Sequence, residues 1–342
     1  MTTDADSGFM LEALALAKMG WGLTNPNPMV GAVIVRDGEI IGRGYHCRAG
    51  EAHAEINALN DVKRHGLTAE NATIYVTLEP CSTYGRTPPC TDAIIAAGIK
   101  RVVIGSLDPN PKHNGEGVRL LREQGIEVVC GVEQNACSDL NQYFFRWITS
   151  GKPFVMLKMA MTLDGKIATV TGESKWITGS EARRRVQKLR RVSDAIMVGG
   201  NTLRTDNPQL TVREPENWER QPLRIIVSES MSADEVAEYF PDNRVETVSL
   251  PDSTAWKEYL RALGERRMTA VLIEGGGELA ASALQAKVVD YVEFHIAPKL
   301  LCGRESRGVT GGESPLVMAD ALDLQRVSVE RCGDDIIIGG YL

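Results

Sequence analysis

No run in the 342-residue chain is long and apolar enough to span a bilayer; the best, such as Ala270 to Ile273, are strand-sized. Nor do the opening residues carry the pattern expected of a leader. Met1-Thr2-Thr3-Asp4-Ala5-Asp6 has neither the basic n-region nor the apolar h-region of a signal peptide, so a cytoplasmic protein with no membrane partner is expected. There is no excess of basic charge: a net charge of −7 argues against an extended nucleic-acid surface but leaves room for a local phosphate pocket. Seven cysteines, an odd number without an export signal, exclude a disulfide framework. Cys47, Cys130, Cys137, Cys302 and Cys332 read as reduced packing residues. No internal repeat or low-complexity tract is visible.

What is present is an ordinary globular composition, 43% hydrophobic and 24% charged, in a chain too long for one hydrophobic core. The first half alternates helix and strand signals. A helical pattern over Met10 to Met19 precedes two strand-like runs, Gly31 to Val35 and Ile40 to Gly44, which flank the hairpin signal Asp37-Gly38. Helices are expected from His53 to Arg64, Thr91 to Ala97 and Gly117 to Gln124, with strands at Thr73 to Leu78, Arg101 to Ser106 and Glu127 to Val132. That order gives a mixed sheet covered by helices. One further helix, Asn135 to Ile148, runs into the turn Ser150-Gly151-Lys152-Pro153, which sets domains of 1–149 and 150–342. The second half restarts with the strand Phe154 to Met161 and a basic helix from Ser180, taken as its cap, to Val192. It ends in two antiparallel strands, Gln325 to Glu330 and Ile336 to Gly339.

The most informative stretch is His53-Ala54-Glu55, followed by Glu79-Pro80-Cys81 and by Cys90 after Thr87-Pro88-Pro89. One imidazole and two thiolates leave the fourth position of a catalytic zinc open for water, whose pKa then falls towards roughly 7. A carboxylate that is not a ligand must move protons to the ring nitrogen and the leaving amine. Glu55 has the H-x-E spacing of nucleobase deaminases for that role. Cys90 stands before a helix, whose partial positive charge favours a thiolate there. A structural zinc would need a fourth ligand, for which His46 or Cys47 could serve.

The second thiolate follows eight intervening residues, Ser82 to Pro89, rather than two. This spacer, with Pro26-Asn27-Pro28-Met29-Val30-Gly31 and the run Gly50 to Glu55, resembles the deaminase domain of the bifunctional riboflavin-biosynthesis enzymes. The resemblance implies that Asn27 and His46 contact the substrate pyrimidine or ribose and that Arg86 lies near its phosphate. Read alone, Asn27 is a turn residue and Arg86 a surface charge. Thr83 departs from the family's common His, so no role is carried to it.

In the second half, Glu274-Gly275-Gly276-Gly277 lies between an apolar run and a helical pattern, where glycines let backbone amides approach a phosphate. A dinucleotide fingerprint, Gly275-x-Gly277-x-x-Ala280 with Glu293 downstream, is a weak alternative to a plain glycine turn. Lys158 to Lys166, Gly172 to Thr178, Val198 to Thr202, Asp206 to Thr211 and Ala297 to Leu301 together resemble the reductase of the same family. The implied fold is a cytidine-deaminase-like three-layer α/β/α domain followed by a dihydrofolate-reductase-like α/β domain. The resemblance places Ala160, Trp176, Thr202, Asp206, Gly276 and Gly277 at NADPH. It places Ser174, Arg190, Leu210, Arg213 and Glu274 at the substrate, with Arg190 or Arg213 suited to its phosphate. Lys158 would polarise the sugar carbonyl or imine, with Asp206 also at the reacting end. The cofactors implied are Zn2+ and NADPH, the partner a small-molecule pyrimidine ribotide, and the assembly a homo-oligomer, dimer or tetramer. Two other classes stay open: a nucleic-acid-editing deaminase, and a non-catalytic zinc protein whose second half is a binding module.

Overall fold

The computed structural model describes residues 4–84, 88–110 and 114–342. The chain folds as two compact units, Met1–Gly151 and Lys152–Leu342.

The first unit runs α1 (Asp4–Ala17), β1 (Gly31–Arg36), β2 (Glu39–Tyr45), α2 (Ala54–Arg64), β3 (Thr73–Leu78), α3 (Cys90–Ala96), β4 (Arg101–Ser106), α4 (Glu116–Glu123), β5 (Glu127–Cys130), α5 (Gln134–Leu140) and α6 (Gln142–Ser150). Its sheet has the order β2-β1-β3-β4-β5, antiparallel on the β2-β1-β3 side and parallel from β3 to β5. Strand residues alternate between two cores. Ala32, Ile34, Ile74, Val76, Val102 and Ile104 meet the inner faces of α2, α3 and α4. Val33, Val35, Tyr75 and Val103 meet Met10, Ala13 and Leu14 of α1 and Cys137 and Leu140 of α5. A sheet covered on both faces needs strands that are apolar throughout, which is why these segments read as continuous hydrophobic runs. The hairpin turn has Asp37 at φ 53° and Gly38 at φ 81°, the left-handed pair that a two-residue connection requires. At Gly44 a Cβ would come within 2.2 Å of the Ala58 nitrogen, so only glycine lets α2 lie this close to β2.

The second unit runs β6 (Phe154–Thr162), β7 (Lys166–Ala168), α7 (Ser180–Val192), β8 (Ala195–Gly199), α8 (Gly200–Asp206), β9 (Leu223–Val227), α9 (Ala233–Ala237), β10 (Val245–Val248), α10 (Ser253–Glu265), β11 (Ala270–Glu274), α11 (Gly277–Gln285), β12 (Tyr291–Ala297), β13 (Arg307–Gly308), β14 (Gln325–Cys332) and β15 (Asp335–Tyr341). Eight strands form one sheet, β10-β9-β8-β11-β6-β12-β15-β14, parallel as far as β12 and antiparallel beyond it. Val155, Leu157, Val271, Ile273 and Val292 pack with Trp256 and Leu260 of α10 and Ala280 and Ala283 of α11. Glu274 and Glu293 alternate with these residues and point to the other face, where Arg190 and Arg185 of α7 meet them.

Three local expectations need correction. Ser180 is the first helical residue of α7, and Gly179 occupies the cap without a side-chain bond. The helix expected over Asn135 to Ile148 is two, broken at Asn141, whose buried side chain leaves the helix path to pair with the backbone of Met29. Asp206-Asn207-Pro208 does turn, with Asn207 at φ 41°, but it terminates a helix, α8, that its glycine-led sequence concealed.

Asn141 Oδ1 accepts from Met29 N at 2.8 Å and its Nδ2 donates to Met29 O at 2.9 Å, both buried. Asn141→Leu strands both backbone groups and is expected to destabilise the first unit by about 2–4 kcal/mol, read as a lower urea midpoint. A change below about 0.5 kcal/mol would show that water replaces the amide without cost.

Candidate active sites

In the first unit, the residues named from the sequence converge where β3 ends and α2 and α3 begin. His53 caps α2, Glu55 lies in its first turn, Cys81 follows β3, and Cys90 is the first residue of α3 rather than the residue before it. The His53 Nδ1 stands 3.5 Å from Cys81 Sγ and 3.3 Å from Cys90 Sγ, and the donor atoms of all three lie within 4.8 Å of one another. A tetrahedral zinc with bonds of about 2.3 Å to sulfur and 2.0 Å to nitrogen would separate such donors by roughly 3.6 Å, so the set fits that ion. The two thiols share a charge unequally. Cys81 is held below its ordinary value, because its sulfur accepts from the Cys90 thiol, from His53 and from the Cys90 amide at 3.3 Å. In the metal-free pair Cys90 is raised by that bond to Cys81 and by burial, while both sulfurs would bind a zinc ion as thiolates. A metal-free pair at contact distance favours one negative charge, and the Cys90 amide aims at Cys81.

Glu55 is 3% exposed, and burial pushes its carboxyl up to about 7, with the charge of Cys81 adding to the rise. His46 is also buried, which lowers its pKa. Its Nδ1 donates to the Ala52 carbonyl at 3.1 Å, so Nε2 carries the lone pair that accepts from Asn27 Nδ2 at 3.2 Å. This leaves the Asn27 Oδ1 as the outward group. Arg86 lies outside the described residues. Sequence reading quoted Glu79 but gave it no task. Its carboxylate accepts from the backbone N–H groups of Asp108, Gly115 and Val118 at 3.1, 3.1 and 3.3 Å, tying the Pro80-Cys81 turn to the start of α4. An acid immediately before Pro-Cys was the sole signal for it.

In the second unit every reductase residue named from the sequence lines one cleft of about 1570 Å³: Lys158, Ala160, Ser174, Trp176, Arg190, Thr202, Asp206, Leu210, Arg213, Glu274, Gly276 and Gly277. The cleft opens at the carboxyl ends of β6, β8, β9 and β11, the usual ligand end of a parallel sheet. At its floor, Arg190 Nε and Nη2 donate to the two Glu274 oxygens at 2.7 Å each, and Nη1 donates to the Thr211 carbonyl at 2.9 Å. These bonds use three of the five guanidinium N–H donors, so Arg190 is held chiefly on Glu274 and Arg213 is the freer of the two candidates for a phosphate. Burial alone would raise the Glu274 pKa, but the Arg190 charge outweighs it and holds the carboxyl below its ordinary value. Lys158, beside Glu274 in register, has its pKa lowered by burial. Ser174 Oγ donates to Asp206 at 2.8 Å, and the Arg183 guanidinium lies 4.6 Å from the Trp176 ring centre. Gln187, not anticipated, also lines the cleft and accepts from the Arg213 amide at 2.8 Å. At the glycine turn Gly276 has φ 85°, and a Cβ there would come within 3.0 Å of Thr202 Oγ1. A long cleft with a side-chain-free turn suits an extended dinucleotide. The fingerprint reading fails at its acidic element: Glu293 is buried against His295 at 2.7 Å and Arg185 at 3.1 Å.

Comparison with known proteins agrees with both sites. The cytidine and deoxycytidylate deaminase zinc-binding region matches residues 3–106, and the RibD C-terminal domain matches residues 153–338. The riboflavin biosynthesis protein RibD of Actinobacillus pleuropneumoniae is 41% identical over 98% of this chain and 95% of its own. That of Escherichia coli K12 is 39% identical over 97% of this chain and 98% of its own. The crystal structure of a diaminohydroxyphosphoribosylaminopyrimidine deaminase/5-amino-6-(5-phosphoribosylamino)uracil reductase from Thermotoga maritima is similar with a TM-score of 0.88 at 38% identity, covering 98% of each chain. Fold and sites thus define a bifunctional enzyme, a zinc-binding deaminase domain joined to a reductase domain. The chain belongs to the RibD family of riboflavin biosynthesis.

Removing Arg190 leaves Glu274 buried without its partner. Arg190→Met is expected to destabilise the second unit by about 3–5 kcal/mol at neutral pH, with Arg190→Met/Glu274→Gln recovering much of the loss. In the single variant burial raises the Glu274 pKa above its unfolded value, so the deficit is small in acid and grows as pH rises past the ordinary carboxylate range. Urea titrations at acidic and neutral pH check this; an equal deficit at both would dismiss the electrostatic origin.

Proposed function

We propose that the first unit hydrolyses the exocyclic 2-amino group of 2,5-diamino-6-(5-phosphoribosylamino)pyrimidin-4-one. The second then reduces the ribosyl group of the product to ribityl, giving 5-amino-6-(5-phosphoribitylamino)uracil. The observation that carries this reading is the convergence of His53, Cys81 and Cys90 beside a buried Glu55. Those three residues would hold the zinc, and bound zinc supplies the Lewis acidity that makes water nucleophilic near neutral pH. Glu55, poised by burial near pH 7, takes one proton from the water and gives it to the ring nitrogen, then moves the remaining hydroxyl proton to the amine, which leaves as ammonia. His46 stays neutral and orients Asn27, whose Oδ1 accepts from a donor on the pyrimidine or ribose. Arg86 completes this set at the phosphate by resemblance alone.

In the second unit the hydride belongs to NADPH, and the chain's part is positioning and electrostatics. Ala160, Trp176, Thr202, Asp206, Gly276 and Gly277 hold the cofactor; Ser174, Leu210, Arg213 and Glu274 hold the ribotide, with Arg213 on its phosphate. Arg190 fixes the Glu274 carboxylate. Lys158, in the row between Glu274 and Glu293, polarises the sugar carbonyl or imine at C1′. We assign the protein to the cytoplasm and to a homo-oligomer, dimer or tetramer. Support for the assembly comes from the edge strand β14, exposed along almost its whole length with Val329 67% exposed, and from the exposed apolar residues Leu316 (98%) and Met318 (88%) that precede it in sequence.

On zinc-loaded protein, Glu55→Gln is expected to lower ammonia release at least about a thousandfold. Zinc content and NADPH oxidation with separately supplied deaminated ribotide should stay at the wild-type level. Ammonia release at the wild-type rate would remove Glu55 from the chemistry. Sedimentation should report a multiple of the 37.3 kDa chain mass at micromolar concentration, and a 37.3 kDa species would refute the oligomer.

A further inference from the structure

Five arginines line the cleft of the second unit, and three are already engaged. Arg183 donates to the Thr178 carbonyl at 2.7 Å, Arg190 is bound by Glu274, and Arg204 reaches Asn201 and Ser230 at 3.3 Å and Glu235 at 3.6 Å. Arg213 and Arg307 remain: among the described residues neither guanidinium makes a hydrogen bond or an ion pair. The resemblance gives Arg213 to the ribotide. Nothing assigns Arg307.

The backbone holds Arg307 firmly at this place. Arg307 pairs with Ala168 across β13 and β7, and Lys166 Nζ donates to the Ser306 carbonyl at 3.1 Å. Val309 N donates to Gly165 O at 3.0 Å, and Gly311 N to Gly277 O at 2.9 Å. The residue after Arg307 abuts the glycine turn, since a Cβ on Gly277 would sit 3.1 Å from the Gly308 carbonyl. Its guanidinium lies towards α8: a Cβ on Gly172 would be 3.9 Å from Arg307 Nη2 and 4.0 Å from the Thr205 methyl. Arg307 is thus framed by α8, which bears Thr202 and Asp206, and by the turn that bears Gly276 and Gly277. These are the elements the proposed function gives to the dinucleotide. A guanidinium without a partner among the described residues, carried on a backbone that is held in place, matches a phosphate, which accepts both arms of its fork.

We propose that Arg307 binds a phosphate group of the dinucleotide cofactor. The inference rests on the reading of this unit as an NADPH reductase. The same chemistry is offered by the pyrophosphate and by the 2′-phosphate, and the two coenzymes separate them.

The test measures equilibrium binding of NADPH and NADH to the full-length protein by nucleotide fluorescence, with ribotide KM measured alongside. Arg307→Met should raise the Kd for NADPH roughly tenfold or more while the Tm stays unchanged, and Arg307→Lys should recover part of the loss. An equal loss for NADH places Arg307 on the pyrophosphate, and a loss confined to NADPH places it on the 2′-phosphate; both uphold the proposal. Unchanged binding of both coenzymes in Arg307→Met overturns it. So does an effect confined to the KM of the ribotide. If the wild-type protein binds neither coenzyme, the reductase reading fails first, and this inference falls with it.

Discussion

A carboxylate removed from water must be paired, be protonated or sit beside a metal, and each half of this chain is organised around one that obeys this constraint. In the first unit Glu55 has no cationic partner other than His53 among the described residues, so burial raises its pKa into the neutral range, where it can both accept and donate a proton. In the second, Glu274 is kept ionised by the two-armed contact of Arg190. Burial raises the pKa of one acid, and an arginine lowers that of the other. That difference separates a group that moves protons from one that fixes charge beneath a ligand cleft. The elements around each acid follow from its requirement: α2 must approach β2 closely enough to bury Glu55, which Gly44 permits, and α7 must cross the sheet face so that Arg190 reaches β11.

The backbone amides carry comparable weight. Glu79 uses both oxygens on three N–H groups, one just after β4 and two at the start of α4, so the turn that presents Cys81 is braced from behind. Asp164 does the same for the chain near β13, accepting from Leu301 and Cys302 at 3.1 and 2.7 Å. Neither side chain need touch a substrate. Each converts loop backbone, which would otherwise be solvated and mobile, into a fixed support.

Much of this was legible from residue order. The hairpin at Asp37-Gly38, the doubly buried strands and the ligand trio His53, Cys81 and Cys90 follow from local rules of turn geometry, period and metal chemistry. The reductase residues were legible only through resemblance, because a cleft assembled from many separate segments leaves no compact motif. What escaped depended on partners distant in sequence. Nothing near Arg190 indicates that Glu274 will claim its fork. Nothing near Asn141 shows that Met29 will draw its side chain out and break a helix. Helix α8 opens with two glycines' worth of ambiguity at Gly199-Gly200 and ends in a turn signal, so its short middle was invisible.

The strand order of the second unit also governs when it can form. Strand β6 is the first of its sheet to be synthesised, yet its two neighbours are β11 and β12, so Phe154 waits for Ala270 and Tyr291 before it is paired on both sides. Strand β15, at the very end of the chain, then closes β12. The sheet of the first unit, in contrast, is complete at Cys130. As the nascent chain leaves the ribosome, the deaminase half can finish folding while the hydrophobic β6 is still unpaired. The reductase half must draw together strands from both ends of its sequence before its sheet is complete. Such distant closure is slow and leaves aggregation-prone edges exposed meanwhile, so the second half is where chaperone dependence should concentrate.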